Sequence, residues 1–140
     1  MELRDKRLSI QNDMDVARAV LQTGRFCAVL GFDKSRGQMV ATAVSELANN
    51  IIKYASRGEV ILRCVTKGAS TGVEIIAEDR GPGIKDLELA LKDHFSSSGT
   101  LGLGLPGVKR MMDEFEIESE PDRGTRVILR MWLCGDSTRG

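Results

Sequence analysis

The sequence predicts an α/β fold of two layers, a mixed β-sheet covered by helices on one face. Three observations carry that expectation. Two long stretches with helical apolar spacing come first, two β-rich runs follow, and a further helix leads into a terminal strand. The 140 residues, 41% of them apolar, suffice for one core, and no linker or internal repeat divides residues 1–140, which read as a single domain.

The elements follow in chain order. A first strand is expected over about residues 3–10. Asn12 or Asp13 caps a helix running to about Leu30, with Val16, Ala19, Val20, Phe26 and Cys27 near helical spacing and Gly31 as its stop. Asp33 caps a second helix, which carries the apolar row Val40, Val44, Leu47 and Ile51 and ends near residues 56–58. The runs EVILRCV (59–65) and GVEIIAED (72–79), separated by the turn-rich KGAST, read as a hairpin with a longer loop. A weak helical patch covers 86–94, another helix covers about 106–115, and GTRVILRMWL (124–133) is the last strand before a frayed tail.

Composition excludes several classes. Twenty basic and twenty acidic residues cancel, so the chain lacks the basic footprint of a nucleic-acid binder. No apolar run reaches membrane-spanning length and the start MELRDKRLS has no apolar signal region, so a cytoplasmic protein without a membrane partner is expected. Three cysteines, Cys27, Cys64 and Cys134, lack CxxC spacing, and the one histidine, His94, has no neighbouring histidine or cysteine; neither a disulfide framework nor a zinc site is expected.

Three stretches carry chemistry. In SELANNIIKYA (45–55), Glu46, Asn50 and Lys53 stand at i, i+4 and i+7 and present a carboxylate, an amide and an ammonium on one helix face. By itself such a row is also what a solvated face looks like. In EDRGPGI (78–84), a strand ends in Asp79 and runs into Gly81-Pro82-Gly83. A carboxylate held at a strand end accepts from an exocyclic amine such as adenine's, and glycines let the backbone approach a flat ligand. In SSSGTLGLGLPGVKRMM (96–112), Gly99, Gly102, Gly104 and Gly107 form a loop ending at a helix start, where unpaired amides hold phosphate oxygens. Gly102-x-Gly104-x-x-Gly107 also matches the dinucleotide fingerprint, with Asp122 about twenty residues on, but His94 and Ser96–Ser98 precede it where that fingerprint requires an apolar strand.

In this order the three stretches resemble the GHKL superfamily of ATP-binding folds, also called Bergerat folds. Glu46-x-x-x-Asn50-x-x-Lys53 resembles its N box, Asp79-x-Gly81-x-Gly83 its first glycine box, Gly102-x-Gly104 its second, and Gly124-Thr125 the Gly-Thr before the last strand. The wording of TAVSELANNIIKYA, IIAEDRGPGI and SSSGTLGLGLPGVKRMMDEF is similar to the RsbT-type switch kinases of stressosome modules, relatives of the anti-sigma factor kinases.

The resemblance implies a serine/threonine protein kinase that uses ATP and Mg²⁺, phosphorylates STAS-domain scaffold and antagonist proteins, and then activates a downstream regulator in a stress-response partner switch. It implies Glu46 as general base, Asn50 as the Mg²⁺ ligand and Asp79 as the reader of adenine, with Thr125 supporting a bridging water. Lys53 and the amides of Ser98, Gly99, Gly102 and Gly104 are implied as phosphate contacts, with Gly81 and Gly83 lining the nucleotide. Residues 84–101 are implied to be the ATP lid, short here and rich in serine. A phosphoacceptor-histidine helix is missing from the pattern, which argues against a histidine kinase. The rival function is a non-catalytic module that binds ATP structurally and sequesters protein partners, like an anti-sigma factor.

Overall fold

The structure, a computed structural model, describes residues 3–81, 104–120 and 122–133. In chain order these form β1 (Lys6–Ile10), α1 (Asp13–Leu30), α2 (Lys34–Ala55), β2 (Gly58–Lys67), β3 (Ser70–Asp79), α3 (Gly104–Met111), β4 (Glu114–Glu120) and β5 (Gly124–Trp132). The strands make one sheet in the order β1-β2-β3-β5-β4.

The helix boundaries follow their caps. The Asn12 side chain accepts from the Asp15 amide at 3.0 Å, and the Asp33 side chain accepts from the Arg36 amide at 2.8 Å. At the end of α1, Gly31 adopts φ 110°, its amide donates to the Ala28 carbonyl and the Phe32 amide donates to the Cys27 carbonyl. That is a Schellman stop, and it turns the buried Phe32 into the core. Only residues 31–33 separate α1 from α2, so the two helices form a hairpin and pack on each other.

Every described strand pairing is antiparallel, whereas the sequence pointed to a mixed sheet. The helix hairpin explains the difference. One helix between two strands returns the chain parallel, but two add a further reversal, so β2 meets β1 antiparallel. Two further expectations are corrected. The β2–β3 loop is short, because Lys67 already pairs with Ser70 and leaves only Gly68 and Ala69 in the turn. The helix expected over about 106–115 runs instead from Gly104 to Met111, and residues 114–120 form a strand. Its sequence, EFEIESE, alternates: Phe115 and Ile117 turn to the core and the glutamates turn away.

The helices cover one face of the sheet, where Val60, Leu62, Val73, Ile75, Ala77, Val127, Leu129 and Met131 join Phe26, Val40, Val44 and Leu47 in one core. Cys27 lies in it, and burial pushes its thiol up to about 12. Among the described residues the opposite face carries a row of alternating charge and no helix. Arg63, Glu74, Arg130 and Glu114 stand opposite one another across β2, β3, β5 and β4. The buried Glu74 accepts from Arg63 at 3.0 Å and from Arg130 at 2.8 Å, and Arg130 also donates to Glu114 and Glu116, both at 2.9 Å. These carboxylates, Glu116 foremost, raise the Arg130 pKa further.

The one tryptophan reports on this row. Trp132 Nε1 donates to Glu114 Oε2 at 2.7 Å, and that bond, followed by the Arg130 contacts, holds the Glu114 carboxyl below its ordinary value of 4.5. A depressed carboxyl contributes stability above its unfolded pKa and loses it as pH falls through the folded one. Acid titration of Trp132 fluorescence is therefore expected to show a step centred below pH 4.5, absent in Glu114→Gln; a Trp132 signal indifferent to that substitution would refute the assignment.

Candidate functional site

Helix α2 places the first group of residues. Its apolar row Val40, Val44, Leu47 and Ile51 faces the core, and Glu46, adjoining it, is drawn in to 3% exposure. Asn50, one turn on, is half-buried and Lys53 is exposed, so the row passes from interior to rim. A buried carboxylate needs a partner. Glu46 Oε1 accepts from the Gly104 amide at 3.1 Å, which ties the middle of α2 to the first residue of α3 across 58 positions of sequence. The contact also sets the charge at a helix N-terminus, where the macrodipole favours an anion. Lys53 Nζ lies 5.3 Å from the centroid of the half-exposed Tyr54 ring.

The second group sits at one end of the sheet. Asp79 closes β3, and its Oδ1 accepts from the Gly81 amide at 2.9 Å, a local turn that leaves Oδ2 to accept elsewhere. Gly81 passes so close to the end of α2 that an added Cβ would lie 2.5 Å from the Ala55 Cβ. Asp79 pairs with Gly58 on one side and with Thr125 on the other, and Thr125 pairs with Ser119 of β4. Paired residues share a face, and each of these stands two positions from a core residue, Ala77, Val127 or Ile117. Asp79, Thr125 and Ser119 therefore line the helix side of the sheet end.

The structure joins Glu46 to Gly104 across α2 and α3, with Asn50 one turn on from Glu46, and brings Asp79, Gly81 and Thr125 together through β3 and β5. Gly83, Ser98, Gly99, Gly102 and the lid at 84–101 lie outside the described residues, as do His94 and the helical patch at 86–94. Sequence reading missed Ser119, whose Oγ is 2.8 Å from Thr125 Oγ1. The signal was present in the strict alternation of EFEIESE, which defines β4.

The donor sets fit the expected ligands. Asp79 Oδ2 and the Thr125 hydroxyl give adjacent acceptors at the sheet end, which suits an exocyclic amine. The Asn50 amide oxygen is a hard neutral ligand of the kind Mg²⁺ takes alongside phosphate and water. Among the described residues no helix is long and apolar enough to cross a membrane.

Comparison with known proteins follows the same lines. A family model described as a histidine kinase-like ATPase domain matches residues 10–131. A curated relative from Bacillus subtilis, the serine/threonine-protein kinase RsbT, is 45% identical over 125 residues, covering 89% of this chain and 93% of its own. An anti-sigma F factor of Caldanaerobacter subterraneus is 32% identical over 139 residues, covering 95% and 93%. Among solved structures, the RsbU and RsbW domains of a Mycobacterium tuberculosis protein match with TM-score 0.63 at 15% identity, over 92% of this chain and 32% of that one. The mycobacterial sensor histidine kinase MprB matches with TM-score 0.53 at 19% identity, over 92% and 97%. At these identities the structures speak for the fold alone.

Proposed function

The chain belongs to the histidine kinase-like ATPase family and to its RsbT-type branch of serine/threonine protein kinases, and we propose that it phosphorylates a STAS-domain protein in a cytoplasmic, stressosome-like partner switch and then activates a downstream regulator. The observation that carries the reading is the buried Glu46 carboxylate, pinned by the Gly104 amide one turn before Asn50. A base so held keeps one position relative to the nucleotide, and phosphoryl transfer depends mostly on positioning and charge neutralisation.

In this reading Asp79 and Thr125 hold the adenine end of ATP while Asn50 holds Mg²⁺. When bound, the metal neutralises charge on the phosphates. Glu46 takes the proton of the substrate's serine or threonine hydroxyl as that oxygen attacks the γ-phosphorus; the bond to the bridging oxygen breaks and ADP leaves. Lys53, at the rim, and the amides of Ser98, Gly99 and Gly102 contact phosphates, while the Gly104 amide, expected from the sequence to do the same, is engaged by Glu46. The lid of residues 84–101 forms part of the face that meets the partner, so affinity for the partner depends on nucleotide. A phosphorylated partner binds more weakly, because its dianion faces the ATP phosphates.

The test combines the chain with labelled ATP, Mg²⁺ and a STAS-domain protein encoded beside it, and follows label transfer together with partner binding, before and after phosphorylation. Transfer to a serine or threonine, with weaker binding of the phosphorylated partner, is expected. Tight binding without transfer would instead establish the sequestering, anti-sigma-like module.

A further inference from the structure

We infer that the cleft between the end of α1 and the start of α2 is a docking site for an amphipathic helix of a partner protein, apolar on one face and acidic at its borders. The site is separate from the nucleotide site and does not rest on the roles given above to Glu46, Asn50 and Asp79.

Helix α1 turns an apolar surface to solvent. Met14, Leu21 and Val29 are 74%, 54% and 62% exposed, and among the described residues Tyr54 is the only other large apolar side chain so exposed. A contiguous apolar surface of this kind marks a contact site. Leu21, Gly24 and Ala28 stand at i, i+3 and i+7 on one face of α1, and Gly24 and Ala28 form one wall of the cleft. Gly37 and Ala41, one turn apart on α2, form the other wall, and the buried Phe32 closes the end at the helix turn. These side chains are too small to fill the space between them. A Cβ added at Gly24 would meet nothing within 4 Å, and the cleft holds about 320 Å³. A cavity of about 150 Å³ holds a benzene, so there is room here for two aliphatic side chains.

The charge at the border selects the occupant. Asp33 is committed to capping α2 through the Arg36 amide at 2.8 Å, and Arg36 donates to the Trp132 and Leu133 carbonyls. Arg18, further along α1, is paired with Asp15 at 3.1 Å. Arg25, next to Gly24 on α1, and Lys34, lining the cleft on α2, are exposed and make no ion pair among the described residues. An apolar cleft with two uncommitted cations fits a helix that inserts apolar anchors at i, i+3, i+4 and i+7 and carries carboxylates beside them. A second copy of this chain fits poorly, because an isologous contact sets two concave surfaces and two basic borders against each other. A flat bilayer leaves the cleft unfilled. From Gly37 to Asn50, α2 spans about 20 Å at 1.5 Å per residue, so an occupant of the cleft leaves the nucleotide end of α2 open.

The probes are two labelled synthetic helical peptides with leucines at i, i+3, i+4 and i+7, one bordered by glutamates and the other by lysines. Fluorescence anisotropy with the full chain reads their binding. The glutamate-bordered peptide is expected to bind about tenfold more tightly, the combined effect of two border ion pairs, and equally well with and without ATP and Mg²⁺. Arg25→Glu combined with Lys34→Glu is expected to reverse the order of the two peptides. Gly24→Gln, whose side chain enters the cleft, is expected to weaken the glutamate-bordered peptide about tenfold by displacing a buried leucine. If Gly24→Gln does not fold, Ala28→Gln, at an exposed helix position, is read in the same way. No binding, equal binding of the two peptides, binding that survives Gly24→Gln, or an affinity that follows ATP overturns the inference. So does a dimer in sedimentation that Gly24→Gln dissolves, which gives the cleft to a second copy, or binding to phosphatidylglycerol vesicles that the double charge reversal abolishes, which gives it to a membrane. None of these outcomes bears on phosphate transfer, so the reading of Glu46 stands or falls separately.

Discussion

Glu46→Gln is expected to bind ATP as the unaltered chain does and to transfer phosphate about 10²–10⁴-fold more slowly, the range for loss of a positioned base. Glutamine is the informative replacement because of what Glu46 touches. Its side chain is 3% exposed and accepts from the Gly104 amide. Alanine would open a cavity and strand a buried N–H, mixing a structural defect of about 1–3 kcal/mol into the kinetics. The glutamine amide oxygen keeps that bond and nearly the same volume, and removes only the basicity. Asn50→Ala serves as the contrast, with loss appearing in Mg²⁺-dependent ATP binding. Normal single-turnover transfer to the STAS-domain substrate by Glu46→Gln would place the base on another residue.

Gly124→Ala is expected to be strongly destabilising and to abolish nucleotide binding with it. Gly124 adopts φ 96°, and a Cβ there would run into the carbonyl oxygen of Asp79 and come within 2.8 Å of the Arg80 Cα. Both obstacles are backbone at the end of the neighbouring strand β3, so relief requires β3 and β5 to part where Asp79 and Thr125 meet. Left-handed strain and overpacking each cost about 1–3 kcal/mol, and here they add. Gly24→Ala is the matched control: it lies within α1 with nothing near its added Cβ, and a helix-interior glycine replaced by alanine gains about 0.5–1 kcal/mol. Denaturant unfolding followed by Trp132 fluorescence measures both. Equal stabilities for the two variants would refute the packing argument.

The sequence by itself determined the long helices, the β2–β3 hairpin and the chemical inventory of the site. Those features have local causes: Asn12 and Asp33 cap their own helices, Gly31 stops α1, and Glu46, Asn50 and Lys53 stand one turn apart because a helix repeats every 3.6 residues. β4 escaped because its glutamates mask a strand pattern that becomes favourable only opposite Arg126 and Arg130 of β5. The antiparallel sheet escaped because strand direction depends on how many helices pack between strands, not on any one strand. Tertiary structure alone decided that the Gly104 amide, 58 residues away, holds Glu46, and that the Ser119 and Thr125 hydroxyls meet 2.8 Å apart. A carboxylate's partner and a hydroxyl's neighbour are set by whichever donors and acceptors the folded chain brings within about 3 Å, and no spacing along the sequence encodes that distance.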